Sequence, residues 1–132
     1  MTLISFDIDE LIKKAKKFVE NQNKMFTYEE FLELNYSNYK NRGVVYFLYV
    51  ENKGSFELKY VGKSKGKYFR QRMRNHFYKK HARTGSKLKT IQKEIEKKNS
   101  VKLNFITTEP ESIRNVIEEE LIKIYKPNLW NF

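Results

Sequence analysis

One tyrosine lies near the start of the first strand of a predicted β-hairpin and another near the end of its second strand, and their spacing is the first feature with chemical content. Residues 43–64 read GVVYFLYVENKGSFELKYVGKS, two apolar runs joined by a polar, glycine-containing link. If residues 52–54 form a three-residue loop, the register places Tyr46 directly across from Tyr60 on one face of the hairpin. The spacing therefore predicts that two phenols meet. Aromatic cross-strand pairs commonly only pack, so the spacing alone does not establish a site.

The residues after Tyr60 favour a role beyond packing. Gly62 leaves backbone exposed at the predicted end of the strand. Four polar residues then supply hydrogen-bond donors where an anion could approach: Lys63, Ser64, Lys65 and Lys67. We expect these side chains to contact a nucleic acid.

An arginine and a histidine follow at helical spacing. In the stretch RQRMRNHF, Arg72 and His76 are four residues apart and share a helix face beside the apolar stripe. An arginine there can bind a phosphate with two hydrogen bonds, and a histidine that titrates near neutral pH can transfer a proton or orient a water. The alternative is a solvated basic face, to which we assign Arg70 and Arg74 as contacts for a nucleic-acid backbone.

A carboxylate would complete a hydrolytic site. Magnesium-assisted hydrolysis of a phosphodiester needs an oxygen ligand for the cation, which in turn neutralises charge on the phosphate. Three consecutive glutamates are candidates: Glu118, Glu119 and Glu120. Helical periodicity places Glu119 on the polar side but leaves Glu118 and Glu120 at opposite edges of the apolar arc, and it does not choose between them. A glutamate in such a run is most often a surface charge.

Length and composition limit the classes of protein to which this chain can belong. The 132 residues, 39% of them hydrophobic, suffice for one compact domain and are too few for two. With 27 Lys+Arg against 16 Asp+Glu, the net charge of +11 favours a nucleic-acid partner over simple solubility. The lack of cysteine excludes disulfides and thiolate metal sites and is typical of a reducing compartment. No segment resembles a membrane span or a signal peptide, so we expect a soluble cytoplasmic protein without a membrane partner.

Apolar periodicity predicts the elements that position these residues. Residues 7–20 read as an amphipathic helix, and Thr27 with Glu30 forms a capping box for a second, short helix. The two strands of the hairpin come next. They are followed by a lysine-rich loop at 63–67 and by a helix from Phe69.

The rest of the chain predicts a helix capped by Ser86, a strand at 101–107 and a last helix that ends near Tyr125. Thr108 and Glu111 form a predicted second capping box for that helix. The order of elements predicts an α+β fold: a small three-stranded antiparallel sheet flanked by helices, with two N-terminal helices.

Four segments together resemble the GIY-YIG nuclease family. Residues 44–46 (VVY) stand where the first motif of the family lies, and residues 60–64 (YVGKS) stand where the second lies. Residues 72–76 (RMRNH) resemble the family helix in which an arginine is followed four residues later by histidine or tyrosine. Residues 118–131 (EEELIKIYKPNLWN) resemble its metal-binding helix and closing asparagine. The resemblance covers residues 43–131 and implies the same three-stranded antiparallel sheet flanked by helices.

The chain departs from the family pattern at three places. Residues 44–45 are both valine where glycine-isoleucine is commonest. The segment before the helix is longer than usual, which makes Arg70 a rival of Arg72, although the Arg-x-x-x-His spacing favours Arg72. The closing segment is also longer, which leaves Asn128 or Asn131 as the asparagine that supports the site, and we choose Asn131.

The resemblance implies a DNA endonuclease that hydrolyses phosphodiester bonds with a single divalent cation, Mg²⁺ or Mn²⁺. In the family pattern the metal ligand precedes a Leu-Ile pair by three residues, which selects Glu118. Tyr46 or Tyr60 acts as the general base, and because a phenol has a free pKa near 10, the cation and Arg72 must lower it. Arg72 stabilises charge on the phosphate, and His76 orients a group or relays a proton. The donors that hold the DNA strand are Lys63 and Ser64.

Two other functions stay open. A basic DNA- or RNA-binding module with an inactive site predicts salt-sensitive binding that neither metal nor Glu118→Ala affects. A phosphoryl-transfer or RNA-processing enzyme could use the same scaffold, since fold does not fix function. We assign residues 43–132 to the nuclease-like domain and residues 1–42 to a helical extension packed on it. Because one site cuts one strand per binding event, double-strand cleavage would need a homo-oligomer or sequential nicking.

Overall fold

Three antiparallel strands form a sheet with helices on both faces. The computed structural model describes residues 1–21, 24–78 and 87–131. The elements in chain order are α1 (Asp9–Glu20), α2 (Tyr28–Leu32), β1 (Gly43–Asn52), β2 (Ser55–Lys65), α3 (Gly66–Phe77), α4 (Leu88–Glu96), β3 (Ser100–Thr108) and α5 (Ile113–Tyr125), with 3₁₀ turns at Tyr36–Asn38 and Lys126–Asn128. The strand order is β2-β1-β3. The predicted fold class is confirmed, including the two helices that precede the sheet.

The sheet has a hydrophobic core on each face because the central strand β1 is apolar on both sides. Alternate residues of a strand point to opposite faces. Tyr46 packs with Phe69 of α3 in one core, and we call this side the α3 face. Phe47 packs with Ile117 of α5 in the other, the α5 face. Residues 1–42 contribute to both cores, α1 on the α5 face and α2 on the α3 face.

The hairpin turn is shorter than predicted. Asn52 pairs with Ser55, so the loop contains only Lys53 and Gly54. Both loop residues have positive φ, 52° and 83°. Positive φ at both positions is the requirement of a type I′ turn, whose twist matches that of the flanking strands. The predicted three-residue loop at 52–54 is therefore wrong.

A β-bulge at Lys59 changes the register a second time. Tyr49 pairs with Leu58, but Leu48 pairs with Tyr60, which leaves Lys59 as an extra residue on β2. Side chains alternate along a strand, so one extra residue reverses the faces of those that follow. Leu58 accordingly lies against the α5 face, whereas Tyr60 lies on the α3 face.

Two predicted boundaries are wrong. Residues 63–67 do not form a loop, since β2 runs directly into α3 at Gly66. A side chain on Gly66 would overlap the carbonyl of Tyr39, so only glycine fits there without a shift of backbone. The predicted capping box of Thr108 and Glu111 does not form, because Thr108 is still part of β3 and α5 begins later.

The capping box at the start of α2 is confirmed. The hydroxyl of Thr27 accepts a hydrogen bond from the backbone N–H of Glu30 at 3.1 Å, and the carboxylate of Glu30 accepts one from the N–H of Thr27 at 2.9 Å. The predicted cap at Ser86 lies outside the described residues. Over the ranges that the structure describes, no helix is both long and apolar enough to cross a membrane.

Candidate active site

The phenol ring of Tyr46 lies over the backbone of Gly62. The two residues pair across β1 and β2, and a side chain on Gly62 would overlap the ring. Gly62 is therefore buried, contrary to the prediction that its backbone is exposed. Glycine is required because the ring occupies the space of its missing side chain. This arrangement carries the Tyr46 hydroxyl over β2, the edge strand of the sheet.

Tyr60 is the diagonal neighbour of Tyr46. The ring centroids are 6.0 Å apart, so the prediction that the two phenols meet is confirmed. The predicted direct pairing is wrong, because the short turn and the bulge place Gly62 opposite Tyr46. Tyr46 has no exposed surface, whereas Tyr60 is 8% exposed.

Arg72 and His76 both reach the hydroxyl of Tyr46. The Nε of Arg72 donates to this oxygen at 3.0 Å, and the Nε2 of His76 lies 2.8 Å from it. Both side chains come from α3, one turn apart, as their four-residue spacing predicts. Helix α3 thereby brings two functional groups to the one hydroxyl oxygen that β1 positions.

A backbone group completes the hydrogen bonding of His76. The N–H of Lys87, at the start of α4, donates to Nδ1 of the imidazole at 3.0 Å. Burial lowers the pKa of His76 to about 3, and the positive charges of Arg72 and Lys87 act in the same direction. His76 is therefore neutral at physiological pH. The expectation that it titrates near neutral pH is wrong for the free protein.

Tyr46 is a neutral phenol in the free protein. Burial raises its pKa above the usual range of a tyrosine, and the neighbouring Tyr60 raises it further. The charge and hydrogen bond of Arg72 lower the pKa, as predicted, but burial is the larger effect. Forming the Tyr46 phenolate at neutral pH therefore requires positive charge beyond that of Arg72.

Glu118 approaches the same edge strand from the α5 face. Its Oε1 lies 3.7 Å from Nζ of Lys63, a β2 residue that pairs with Val45. Burial raises the pKa of Glu118, and the charges of Lys63 and Arg72 oppose that rise. The charge of Arg72 thus acts on both Tyr46 and Glu118, although these two residues belong to opposite faces of the sheet.

The tertiary structure separates the three candidate glutamates. The side chain of Glu118 is 17% exposed and faces Lys63. The carboxylate of Glu120 instead pairs with Lys123 of its own helix at 3.4 Å, and Glu119 is exposed. Of the three, Glu118 is the residue that α5 directs towards the edge where Tyr46 lies.

The chemistry of Glu118 fits a hard divalent cation. Mg²⁺ in proteins is commonly held by one or two carboxylates, keeps several waters and contacts substrate phosphates. A cation held by Glu118 would therefore complete its shell with water and phosphate oxygens. In the part of the chain that the structure describes, no group of three or more His, Cys, Asp or Glu residues could enclose a metal.

The C-terminal segment is hydrogen-bonded to β2, the strand that carries Tyr60. The side-chain amide of Asn131 accepts a hydrogen bond from the N–H of Val61 at 3.1 Å and donates one to its carbonyl at 2.8 Å. The N–H of Trp130 donates to the carbonyl of Lys59, the bulged residue. These contacts pair backbone groups at the outer side of an edge strand. Asn131 thus holds the backbone beside Tyr60.

Most of the predicted nucleic-acid contacts lie at the end of β2 and along α3. Lys65, Lys67 and Arg74 are exposed. Ser64 is half-buried, and its hydroxyl donates to the carbonyl of Lys65 at 2.8 Å. Lys63 is held near Glu118. Lys65, Lys67 and Arg74 therefore flank the site rather than line it.

Arg70 does not reach the site. Its guanidinium donates to the hydroxyl of Tyr39 at 2.9 Å and to the carbonyl of Leu34 at 2.7 Å, and it lies over the ring of Tyr36. These contacts join α3 to the segment after α2. Of the two rival arginines, only Arg72 contacts Tyr46.

Two backbone contributions were not predicted. One is the N–H of Lys87 on His76, and the other is the carbonyl of Lys59 bound by Trp130. Almost every residue carries such groups, so no residue type signals them. The side chain of Lys87 also lies over the ring of Tyr60, with Nζ 5.8 Å from the centroid.

Comparison of the chain with models of known protein families, with curated proteins and with solved structures finds no match. The function of the protein is therefore inferred from the geometry of this site, its residue pattern and its charge.

Proposed function

We propose that the protein is a metal-dependent endonuclease that hydrolyses phosphodiester bonds of DNA. The observation that carries this proposal is the convergence of groups at the edge strand β2. Arg72 and His76 contact the hydroxyl of Tyr46 on the α3 face, and the carboxylate of Glu118 reaches the edge from the α5 face. Phosphodiester hydrolysis uses a cation-binding carboxylate, a cationic group for the phosphate and a proton acceptor for water.

The residue pattern gives independent support. The four segments that resemble the GIY-YIG nuclease family contain Tyr46, Tyr60, Arg72 and Glu118, and the fold brings these side chains to one edge of the sheet. Segments distant in sequence that resemble one family and also meet in space are a stronger indication of function than either observation alone.

Different side chains of the site carry out different parts of the proposed hydrolysis. One tyrosine of the Tyr46 and Tyr60 pair, in its phenolate form, accepts the proton of the attacking water. The hydrogen bond of Arg72 and the contact of His76 stabilise negative charge on the Tyr46 oxygen. The half-buried guanidinium of Arg72 also stabilises charge that develops on the phosphate.

Glu118 would hold the cation of this reaction. When bound, a divalent cation supplies positive charge that neutralises the phosphate and favours the phenolate form of a nearby tyrosine. Lys63 keeps the carboxylate of Glu118 at the edge strand, since the two groups form an ion pair at 3.7 Å. This role requires Glu118 to be ionised.

The charge of the protein supports a nucleic-acid substrate. The net charge is +11, and the exposed cations Lys65, Lys67 and Arg74 flank the site. Cations at this position neutralise phosphates on either side of the bond that is cut, which makes binding salt-dependent.

Nicking of supercoiled plasmid tests the proposal. We expect the wild type to convert supercoiled plasmid to open circles with Mg²⁺ and not with EDTA. Glu118→Gln removes the charge of the ligand and is expected to slow nicking by about 100-fold or more. Glu120→Gln removes one charge from the same helix and is the matched control, which should cleave as the wild type does. Circular dichroism establishes that both variants are folded.

The opposite result is also informative. A wild type that binds DNA but leaves it intact with both Mg²⁺ and Mn²⁺ contradicts the nuclease proposal and favours the binding module. Parallel assays on DNA and RNA of one sequence identify the substrate, because an RNA-processing enzyme would cut only the RNA.

A further inference from the structure

The contact between Lys87 and His76 limits the state of the imidazole. A backbone N–H can only donate a hydrogen bond, so Nδ1 of His76, 3.0 Å from the N–H of Lys87, must accept. A neutral imidazole carries one proton. That proton therefore lies on Nε2, which is 2.8 Å from the hydroxyl oxygen of Tyr46.

We propose that Lys87 is a positioning residue for this site: its backbone N–H fixes His76 in the tautomer whose Nε2 carries the proton. In this tautomer the imidazole donates to Tyr46 and does not accept the proton of the phenol. The catalytic importance of this role rests on the proposed function, but the tautomer itself does not. His76 is thus a stabiliser of charge on Tyr46 and not the general base.

The packing of α4 holds the amide in place. The carbonyl of Lys87 accepts the N–H of Ile91 at 2.9 Å, the first hydrogen bond of the helix. Leu88 and Ile91 are 8% and 1% exposed, and Ile91 belongs to the core on the α3 face. The N–H of Lys87 precedes the first turn, where no helical carbonyl is placed to accept it. The N-terminal end of α4 also carries partial positive charge, which disfavours an imidazolium beside it.

The tautomer determines the direction of the hydrogen bonds around Tyr46. The phenol oxygen has two lone pairs and one proton. It accepts from Nε of Arg72 at 3.0 Å and from Nε2–H of His76. The phenol proton is then left to donate in a third direction. A chain of donors therefore runs from Lys87 through His76 to Tyr46, whose ring lies beside that of Tyr60.

Nitrogen-15 NMR of the imidazole in the full chain tests the proposal. In the wild type we expect a pyridine-like shift for Nδ1, a pyrrole-like shift for Nε2, and a scalar coupling across the hydrogen bond between the Lys87 amide and Nδ1. A proton on Nδ1 would overturn the proposal. Because this measurement needs no variant, the proposal stays testable even if every substitution at Lys87 impairs folding.

Two variants separate the amide of Lys87 from its side chain. Lys87→Pro removes the N–H. We expect His76 in this variant to populate the other tautomer. Single-turnover cleavage should slow by about tenfold or more. Lys87→Ala keeps the N–H and removes the ammonium, and we expect the tautomer of the wild type. The same tautomer change in both variants, or an unchanged tautomer in a folded Lys87→Pro protein, would overturn the proposal.

The two proposals fail in different ways. A wild type with the expected tautomer that cleaves neither DNA nor RNA overturns the proposed function and leaves the role of Lys87 in fixing the imidazole intact. A wild type that cleaves DNA but carries a proton on Nδ1 supports the proposed function and overturns the role of Lys87.

Discussion

The backbone of Gly62 lies beneath the phenol ring of Tyr46, and a Cβ atom on Gly62 would overlap the ring. This contact links the hairpin to the site, since it allows the hydroxyl of Tyr46 to pass over the edge strand towards Arg72 and His76. Glycine at this position is thus a requirement of tertiary packing and not of an unusual φ angle.

Gly62→Ala is expected to displace the Tyr46 ring. Overpacking of this kind lowers the free energy of unfolding by about 1–3 kcal/mol. Cleavage should be lost as well, because the displaced Tyr46 hydroxyl loses its hydrogen bond from Arg72. Gly54→Ala is the control: nothing lies within 4 Å of a side chain there, but the φ of 83° makes alanine unfavourable by about 1 kcal/mol. Urea denaturation and plasmid nicking should show lost stability in both variants and lost cleavage only in Gly62→Ala.

Arg70 and Arg72 should have separable effects. Arg70→Ala leaves the Tyr39 hydroxyl and the Leu34 carbonyl without their donor, which costs about 1–3 kcal/mol of stability. The folded fraction should still cleave. Arg72→Ala is expected to reduce cleavage by the folded protein by about 100-fold or more. Loss of cleavage in folded Arg70→Ala with activity retained in Arg72→Ala would show that the two roles are reversed.

His76 should make stability depend on pH. Its pKa is lowered from 6.5 in the unfolded chain to about 3 in the folded protein. The unfolded chain therefore binds a proton that the folded protein cannot, and the stability present above pH 6.5 is lost as the pH falls towards 3. The contribution of this one group is at most about 1.4 kcal/mol per pH unit.

The measurement is urea denaturation of the wild type and of His76→Gln at several values from about pH 7 to about pH 4. We expect the wild type to lose stability more steeply than the variant over this range. Carboxylates titrate in both proteins, so the difference between the two curves isolates His76. Parallel curves would contradict the assignment of a buried neutral imidazole.

Asn131 should protect the backbone of Val61. Asn131→Leu keeps a similar side-chain volume but removes both hydrogen bonds to Val61. We expect this change to lower the free energy of unfolding by about 1–2 kcal/mol and to speed hydrogen exchange of the Val61 amide. Asn128→Leu is the matched control, since Asn128 lies nearby in the 3₁₀ turn. Equal exchange of the Val61 amide in both variants would show that the Asn131 side chain does not hold β2 in place.

Local patterns determined much of the fold. The four-residue spacing of Arg72 and His76 predicts a shared helix face because helical geometry depends only on neighbouring residues. The capping box of Thr27 and Glu30 formed for the same reason. The two apolar runs around residues 52–54 correctly predicted a hairpin that brings Tyr46 near Tyr60, although not its register.

The register itself depended on backbone details that residue types do not encode. A two-residue turn and a bulge at Lys59 both shift the pairing, and the bulge is accompanied by a hydrogen bond from Trp130, far along the chain. The amide of Lys87 on His76 is a similar case. A backbone N–H or carbonyl is present at nearly every position, so its use becomes visible only in three dimensions.

The direction in which the α5 carboxylates point shows the same limit. The sequence alone determined the fold class, the positive charge and the presence of a glutamate at each edge of the apolar arc of α5. Helical periodicity describes the direction of a side chain relative to its own helix, not relative to the rest of the molecule. Only the packing of α5 on the sheet decided that Glu118 faces Lys63 and the edge strand, while Glu120 pairs with Lys123 on its own helix.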